Sequence, residues 1–207
     1  MSVDAVVARI AQLNSVLAPQ PATPVSTPQT AAPANATFAS LMGQAASGTA
    51  ATTALPATGG TPAGQAMVNL ARQEVGVAEQ PPGSNDSPRI AQYRQATAGS
   101  GVGPWCAYFV SWAARSVGAP LGEQGQGFGS VAQVWDWAQR SGKAIPAGTQ
   151  PPQTGDLIVW GGRHIGMVES VDPDGTIHTI EGNSSDRVSQ RTYGPDGGGA
   201  TGFVRLG

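Results

Sequence analysis

Cysteine and histidine are scarce in this chain of 207 residues, which has one cysteine, Cys106, and two histidines, His164 and His178. A single cysteine excludes an intrachain disulfide and a cysteine-rich metal site, and it leaves the redox compartment open. Any cysteine chemistry has to use Cys106, and a histidine base for it has to be one of the two imidazoles.

Charge and long apolar runs are scarce as well. Charged residues make up 12% of the chain, the net charge is −2, and no basic cluster is visible, so nothing favours a nucleic-acid partner. No apolar run approaches the length that crosses a bilayer, so we predict no transmembrane segment. The first residues lack the basic n-region, the continuous apolar core and the cleavage site of a secretory signal peptide.

Glycine and proline, by contrast, are abundant, with 29 and 17 residues, which indicates a folded part joined to an unfolded part. In residues 1–18 apolar side chains recur at steps of three and four, which predicts an amphipathic helix that docks on a partner or on the folded domain, or that frays without a partner. Residues 19–63 are rich in Pro, Ala and Thr and nearly uncharged, which predicts a disordered linker. Residues 64–207 have the composition of a folded domain of about 140 residues.

Within residues 64–207 the hydrophobic pattern changes from helical to strand-like. Helices are predicted at 67–75, 90–94, 106–117 and 131–138, and strands at 156–160, 164–171, 176–183, 187–193 and 201–206. Helices followed by strands predict an α+β domain in which N-terminal helices pack on a C-terminal antiparallel sheet.

Cys106 lies where a helix is predicted to begin. Pro104 suits a first helical turn, and Gly118 ends the apolar stripe that follows. The unpaired N–H groups and the dipole of a helix N-terminus favour a thiolate, so the position suits a nucleophile. A small buried apolar residue is the equally plain alternative for a lone cysteine.

His164 is the better candidate for the base. It opens a predicted strand, and the turn at 173–175 pairs that strand with the next one, so Glu181 becomes a cross-strand neighbour. Asn183 has the same strand parity as Glu181, whereas His178 has the opposite parity. We therefore predict His164 as base and Glu181 as its orienting partner, against the alternatives of a loop histidine and a solvated strand residue.

Four segments together resemble the CHAP domain, the cysteine, histidine-dependent amidohydrolases/peptidases related to the NlpC-type peptidases of the papain-like group. They are Pro-Trp-Cys-Ala-Tyr-Phe-Val-Ser-Trp at 104–112, Gly-Asp-Leu-Ile-Val-Trp at 155–160, His-Ile-Gly-Met-Val-Glu at 164–169 and Ile-Glu-Gly-Asn at 180–183. The resemblance implies a papain-like α+β fold and cysteine-dependent hydrolysis of amide bonds in peptidoglycan, without a cofactor. It also implies Cys106 as nucleophile, His164 as base, and Glu181 and Asn183 as orienting residues.

Some details of the resemblance bear on ligands. Thr154 stands where family members often carry proline before Gly-Asp, a departure of little consequence. Some members bind calcium through clustered acids near the first loops, but Asn85 and Asp86 are too few for that, so we predict no metal. Three aromatic residues flank the proposed site and are predicted either to line a substrate groove or to belong to the core, namely Trp105, Tyr108 and Trp160.

The resemblance leaves the cleaved bond open between N-acetylmuramoyl-L-alanine amidase and peptidoglycan endopeptidase. Rival interpretations are a phage lysin or delivered toxin with the same chemistry, and a catalytically inactive wall-binding or assembly module. Residues 1–63, with a short apolar patch at 38–42, are similar to wall hydrolases of actinobacterial flagellar gene clusters. That similarity implies a flagellar rod or export component as partner of residues 1–18, and export to the cell wall without a cleaved signal peptide.

Overall fold

A computed structural model of the chain describes residues 59–207. Within them, four helices come first: α1 Pro62–Arg72, α2 Pro88–Arg94, α3 Cys106–Ser116 and α4 Val131–Arg140. The strands follow: β1 Ala144–Pro146, β2 Leu157–Trp160, β3 His164–Val171, β4 Ile177–Glu181, β5 Ser189–Tyr193 and β6 Gly202–Val204. The α+β class, with helices before an antiparallel sheet, is confirmed. The predicted helix at 1–18 and the linker up to residue 58 lie outside the described residues.

The folded part begins slightly before residue 64. Thr61 caps α1, because its hydroxyl accepts the Gly64 N–H at 3.0 Å, and the same hydroxyl donates to the Leu206 carbonyl. The Thr154 N–H donates to the Gly59 carbonyl at 3.0 Å. Residues 59–63, which the sequence assigns to the linker, are therefore tied to both the first helix and the C-terminal half of the domain.

The sheet is antiparallel, with the strand order β1-β6-β2-β3-β4-β5. The predicted β3–β4 hairpin is present, with Met167 opposite Ile180 and a bulge between Val168 and Ser170. Strand β1 has no counterpart in the sequence prediction, because its three residues are too few for a periodic pattern and are ordered by pairing with β6. Strand β4 ends at Glu181, two residues before the predicted end.

Side chains alternate between the two faces of the sheet, as strand geometry requires. One face packs on the helices, and its fully buried residues include Val159, Ile165, Met167 and Ile180. The other face carries a smaller apolar cluster with Ile158, Trp160, Val168 and Ile177. Burial of each large apolar side chain in these clusters stabilises the fold by about 2 kcal/mol. Helix α3 is buried along most of its length, so its first residue is held rigidly against the sheet.

Candidate active site

Cys106 is the first residue of α3 and is almost fully buried. The helix begins with the Phe109 N–H donating to the Trp105 carbonyl at 3.0 Å, and Trp105 provides no side-chain cap. A helix start without a side-chain cap leaves first-turn N–H groups available to an anion. The sequence prediction of a thiol in the first turn of an apolar helix is confirmed in its placement.

His164 is the first residue of β3 and lies opposite Trp160 of β2. The imidazole stacks on the Trp160 ring with centroids 5.5 Å apart, and its side chain is 26% exposed. Its Nε2 lies 2.8 Å from Oε2 of Glu181. Cys106 is the other group that interacts with the ring and raises its pKa, and since Nε2 is at Glu181, Nδ1 is the nitrogen left to face the thiol. The structure thus brings together the predicted nucleophile, base and orienting carboxylate.

A glycine makes the His164–Glu181 contact possible. Glu181 follows Ile180, which pairs with Met167, so it lies across from Gly166 rather than from His164 itself. A Cβ at Gly166 would lie 2.7 Å from Cγ of Glu181, closer than two carbon atoms can approach. The Glu181 side chain therefore fills the space above Gly166 and reaches diagonally to the imidazole.

The Glu181 carboxylate is 1% exposed and fully hydrogen-bonded. Besides His164, it accepts the hydroxyl of Thr179 at 2.6 Å and that of Tyr193 at 2.8 Å, both on Oε1. Burial acts to raise the pKa of Glu181, but the hydrogen bonds from His164, Thr179 and Tyr193 outweigh it and hold the pKa below its usual value. Burial and the bond to Glu181 in turn raise the pKa of Tyr193 to about 12, so this hydroxyl remains a donor.

The charge on His164 follows from the same contacts. Burial alone would lower its pKa, but the hydrogen bonds and charges of Cys106 and Glu181 outweigh burial and raise the pKa to about 9. The imidazolium form is therefore favoured at neutral pH. Sequence reasoning missed Thr179 and Tyr193, although Thr179 lies two residues before Glu181 and shares its strand face.

Asn183, which the resemblance implies as an orienting residue, does not contact the imidazole of His164. It lies beyond the end of β4 with φ at 57°, so strand parity no longer determines where it points. With its amide oxygen toward Trp105, it accepts the Trp105 N–H at 3.0 Å and donates to Oε1 of Glu79 at 3.3 Å. With the amide reversed, it donates to Asn85 at 3.4 Å. Asn183 thus contacts Trp105 and Glu79 in one orientation and Asn85 in the other, and it contacts the imidazole in neither.

The three predicted groove aromatics are packed into the domain. Trp105 is 0% exposed and its Nε1 donates to Glu79 at 2.9 Å, so the groove prediction is wrong for this ring. Tyr108 is buried, with its hydroxyl donating to the Gly101 carbonyl at 2.9 Å. Trp160 is buried against the base, and its Nε1 donates to a loop carbonyl. The core alternative describes these side chains better, because each polar atom already has a partner within the protein.

Glu79 is a further buried carboxylate near the nucleophile that the sequence pattern did not single out. Its Oε2 accepts the Asn85 N–H at 2.8 Å, while Oε1 accepts the Trp105 indole. It thereby joins the loop before α2 to the residue that precedes Cys106. A lone glutamate in a loop carries no periodicity, so only the folded chain shows that it is buried.

His178 lies apart from this group. Its Nε2 is 2.8 Å from Oδ2 of Asp172, and its Nδ1 faces Thr192. The structure thus pairs His164, and not His178, with Glu181. In residues 59–207 no group of three or more His, Cys, Asp or Glu side chains is arranged to hold a metal ion. None of the helices in this part of the chain has the length and apolar character needed to cross a membrane.

An open cavity of about 450 Å³ adjoins His164 on the side of β4 and β5. Its wall includes Glu181, Asn183, Ser184, Arg191 and Tyr193. The cavity therefore borders the base and its orienting carboxylate, and it offers space for part of a substrate beside the imidazole.

Comparison with known proteins identifies this region. The family model of the CHAP domain matches residues 97–183, a span that includes Cys106, His164 and Glu181. The resemblance drawn from the sequence motifs is thereby confirmed for residues 97–183, which match the CHAP domain.

A solved structure with partial similarity is an N-acetylmuramoyl-L-alanine amidase from Staphylococcus aureus. It is 18% identical, with a TM-score of 0.40 over 53% of this chain and 33% of that chain. A similarity of that extent carries no argument about activity. No curated protein matches the chain in sequence.

Proposed function

We propose that the chain is a peptidoglycan hydrolase that cleaves an amide bond of the wall peptide, with Cys106 as nucleophile, His164 as acid and base, and Glu181 as its orienting partner. The observation that carries the proposal is the imidazole of His164, whose Nε2 lies 2.8 Å from Glu181 and whose pKa is raised by its interactions with Cys106 and Glu181. A nucleophile, a base and an orienting group in hydrogen-bond contact are what cysteine acyl transfer requires. The CHAP match supports peptidoglycan as the substrate.

The proposed reaction has two halves. The Cys106 thiolate attacks the amide carbon, and the oxyanion that forms accepts the Cys106 backbone N–H at the helix start. Collapse of this intermediate breaks the C–N bond, and the imidazolium of His164 gives its proton to the leaving nitrogen. Water then attacks the thioester, His164 takes its proton, and the acid is released as the thiolate re-forms.

Glu181 acts on the base rather than on the substrate. Its carboxylate fixes the ring through Nε2, so that Nδ1 stays directed at the thiol. Thr179 and Tyr193 hold the carboxylate in place from its other oxygen. The charge of this fully bonded, buried carboxylate stabilises the imidazolium, which is the form needed to protonate the leaving amine.

The bond that is cleaved has two candidates, which correspond to an N-acetylmuramoyl-L-alanine amidase and a peptidoglycan endopeptidase. For the whole chain, the proposed location is the cell wall, with residues 1–18 binding a flagellar rod or export component and residues 19–58 acting as a tether.

The test compares wild-type protein with Cys106→Ala on isolated cell walls, followed by mass spectrometry of the released muropeptides. We expect wild type to release fragments with a new amine and a new carboxylate, and the variant to release none while keeping its circular dichroism spectrum. The masses distinguish muramoyl–alanine cleavage from cleavage within the peptide. Wild-type rates in a folded Cys106→Ala variant would refute the mechanism.

A further inference from the structure

Arg191 is a cation in the wall of the cavity beside His164. Its Nε donates to the hydroxyl of Ser184 at 3.0 Å, and its Nη2 donates to that of Ser185 at 2.8 Å. No carboxylate of residues 59–207 forms an ion pair with it, whereas five other arginines of the same part of the chain do have one: Arg72, Arg89, Arg94, Arg140 and Arg205. The guanidinium is thus held by neutral hydroxyls.

The two serine contacts leave donors free. A guanidinium has five N–H groups, and the bonds to Ser184 and Ser185 use one on Nε and one on Nη2. The two N–H groups of Nη1 and one of Nη2 remain, which is the pair of nitrogens that binds a carboxylate with two parallel hydrogen bonds. The two serines therefore orient the guanidinium and leave N–H groups on both Nη1 and Nη2 free to bind a ligand.

The sheet register places Arg191 on the same face as Glu181, the carboxylate that orients the base. Arg191 of β5 lies opposite Thr179 of β4, and the Thr179 hydroxyl donates to Glu181. His164 belongs to β3, so two strand spacings, about 10 Å, separate its strand from that of Arg191. An extended peptide advances about 3.4 Å per residue, so a group held by Arg191 lies within one to three residues of the scissile bond.

The chemistry indicates which side of the scissile bond faces this cavity. The cavity wall includes both His164 and Glu181, so the cavity borders the side of the ring on which Nε2 meets Glu181. His164 protonates the leaving nitrogen, so the amine side of the substrate has to lie over the imidazole. The part of the peptide that continues beyond the leaving nitrogen is then directed toward the cavity and Arg191.

We propose that Arg191 binds a carboxylate of the substrate on the amine side of the scissile bond, one to three residues from it. The substrate class is therefore a wall peptide with a free carboxylate at that position, and the corresponding carboxamide is a poorer substrate. This inference rests on the proposed function and adds a specificity-determining residue to the same site.

The test measures kcat and KM of the full chain on synthetic wall peptides in matched pairs. Each pair carries either a carboxylate or a carboxamide on the first, second or third residue of the amine side. We expect one carboxylate position to lower KM roughly tenfold relative to its carboxamide, the size of a charge-assisted hydrogen bond at an exposed site, with kcat unchanged. In Arg191→Gln the carboxylate peptide should fall to the level of the carboxamide, while the carboxamide peptide is cleaved as by wild type.

Arg187→Gln is the matched control, because Arg187 is also an exposed arginine beside Ser185 but does not line the cavity. It should keep the preference for the carboxylate. Equal cleavage of both members of every pair by wild type, or an equal loss on both in Arg191→Gln, would overturn the role of Arg191 and leave the proposed function standing. Cleavage of no peptide and no wall material by wild type would instead refute the proposed function, and the inference with it.

Discussion

Replacing Gly166 with alanine tests how the site is built with a change of one methyl group. A Cβ at Gly166 would lie 2.7 Å from Cγ and 3.4 Å from Cδ of Glu181. Carbon atoms pack at about 3.5 to 4 Å, so the Glu181 side chain has to move by about 1 Å. Its bond to His164, now 2.8 Å, would then exceed hydrogen-bond length.

The expected cost has a catalytic and a structural part. Moving the carboxylate that orients the base by about 1 Å costs on the order of 100-fold in kcat/KM. Overpacking beside a buried carboxylate destabilises the fold by about 1–3 kcal/mol. The pKa of His164, which is raised to about 9 partly by Glu181, should fall as the carboxylate moves away. Gly166 itself needs no positive φ, so the backbone accepts alanine and the steric contact is the main change.

The assay combines hydrolysis of isolated walls, urea unfolding and an NMR titration of the histidines. Gly162→Ala is the matched control, since a Cβ there meets only the Ala132 methyl at 3.7 Å, an ordinary contact. Gly162→Ala should hydrolyse walls at the wild-type rate, unfold at the wild-type urea concentration and show the wild-type titration of His164. If Gly166→Ala hydrolyses walls at the wild-type rate and its His164 titrates as before, the argument that Gly166 makes room for Glu181 is wrong.

Three further predictions use the same site and the start of the domain. On isolated walls, His164→Ala should lose activity by several orders of magnitude, whereas His178→Ala should keep most of its activity. An inactive His178→Ala variant would show that His178, and not His164, is the base. Cys106 and Glu181 together raise the pKa of His164 to about 9, and Glu181→Gln removes the charge of the second, so the basic limb of kcat/KM should move to lower pH. The stability that the raised pKa provides is full below about pH 6.5 and is lost as pH rises through about 9, so this part of the free energy of unfolding in urea should shrink in the variant. An unchanged basic limb would contradict the role of Glu181. A fragment of residues 59–207 should fold and hydrolyse walls like the full chain. A fragment of residues 64–207 lacks the Thr61 cap, so its free energy of unfolding should be lower by about 1 kcal/mol, and equal urea midpoints for the two fragments would show that the cap does not stabilise the domain.

The sequence by itself determined the parts of the site that depend on local patterns. A helix start is written in neighbouring residues, so the position of Cys106 in a first turn followed from Pro104 and the apolar stripe after it. Strand alternation separated His164 from His178 and placed Glu181 on the right face, because side chains within a strand alternate by geometry alone. The order of helices before strands likewise determined the α+β class.

Only the tertiary structure decided which groups complete the site. Tyr193 reaches Glu181 from the next strand, and Glu79 reaches Trp105 from a loop 26 residues away, so neither contact leaves a local signal in the sequence. Asn183 departs from the predicted face because the strand ends before it and its backbone turns to positive φ. Whether Trp105 lines a groove or fills the core depends on what packs around it, and packing is a property of the whole folded chain.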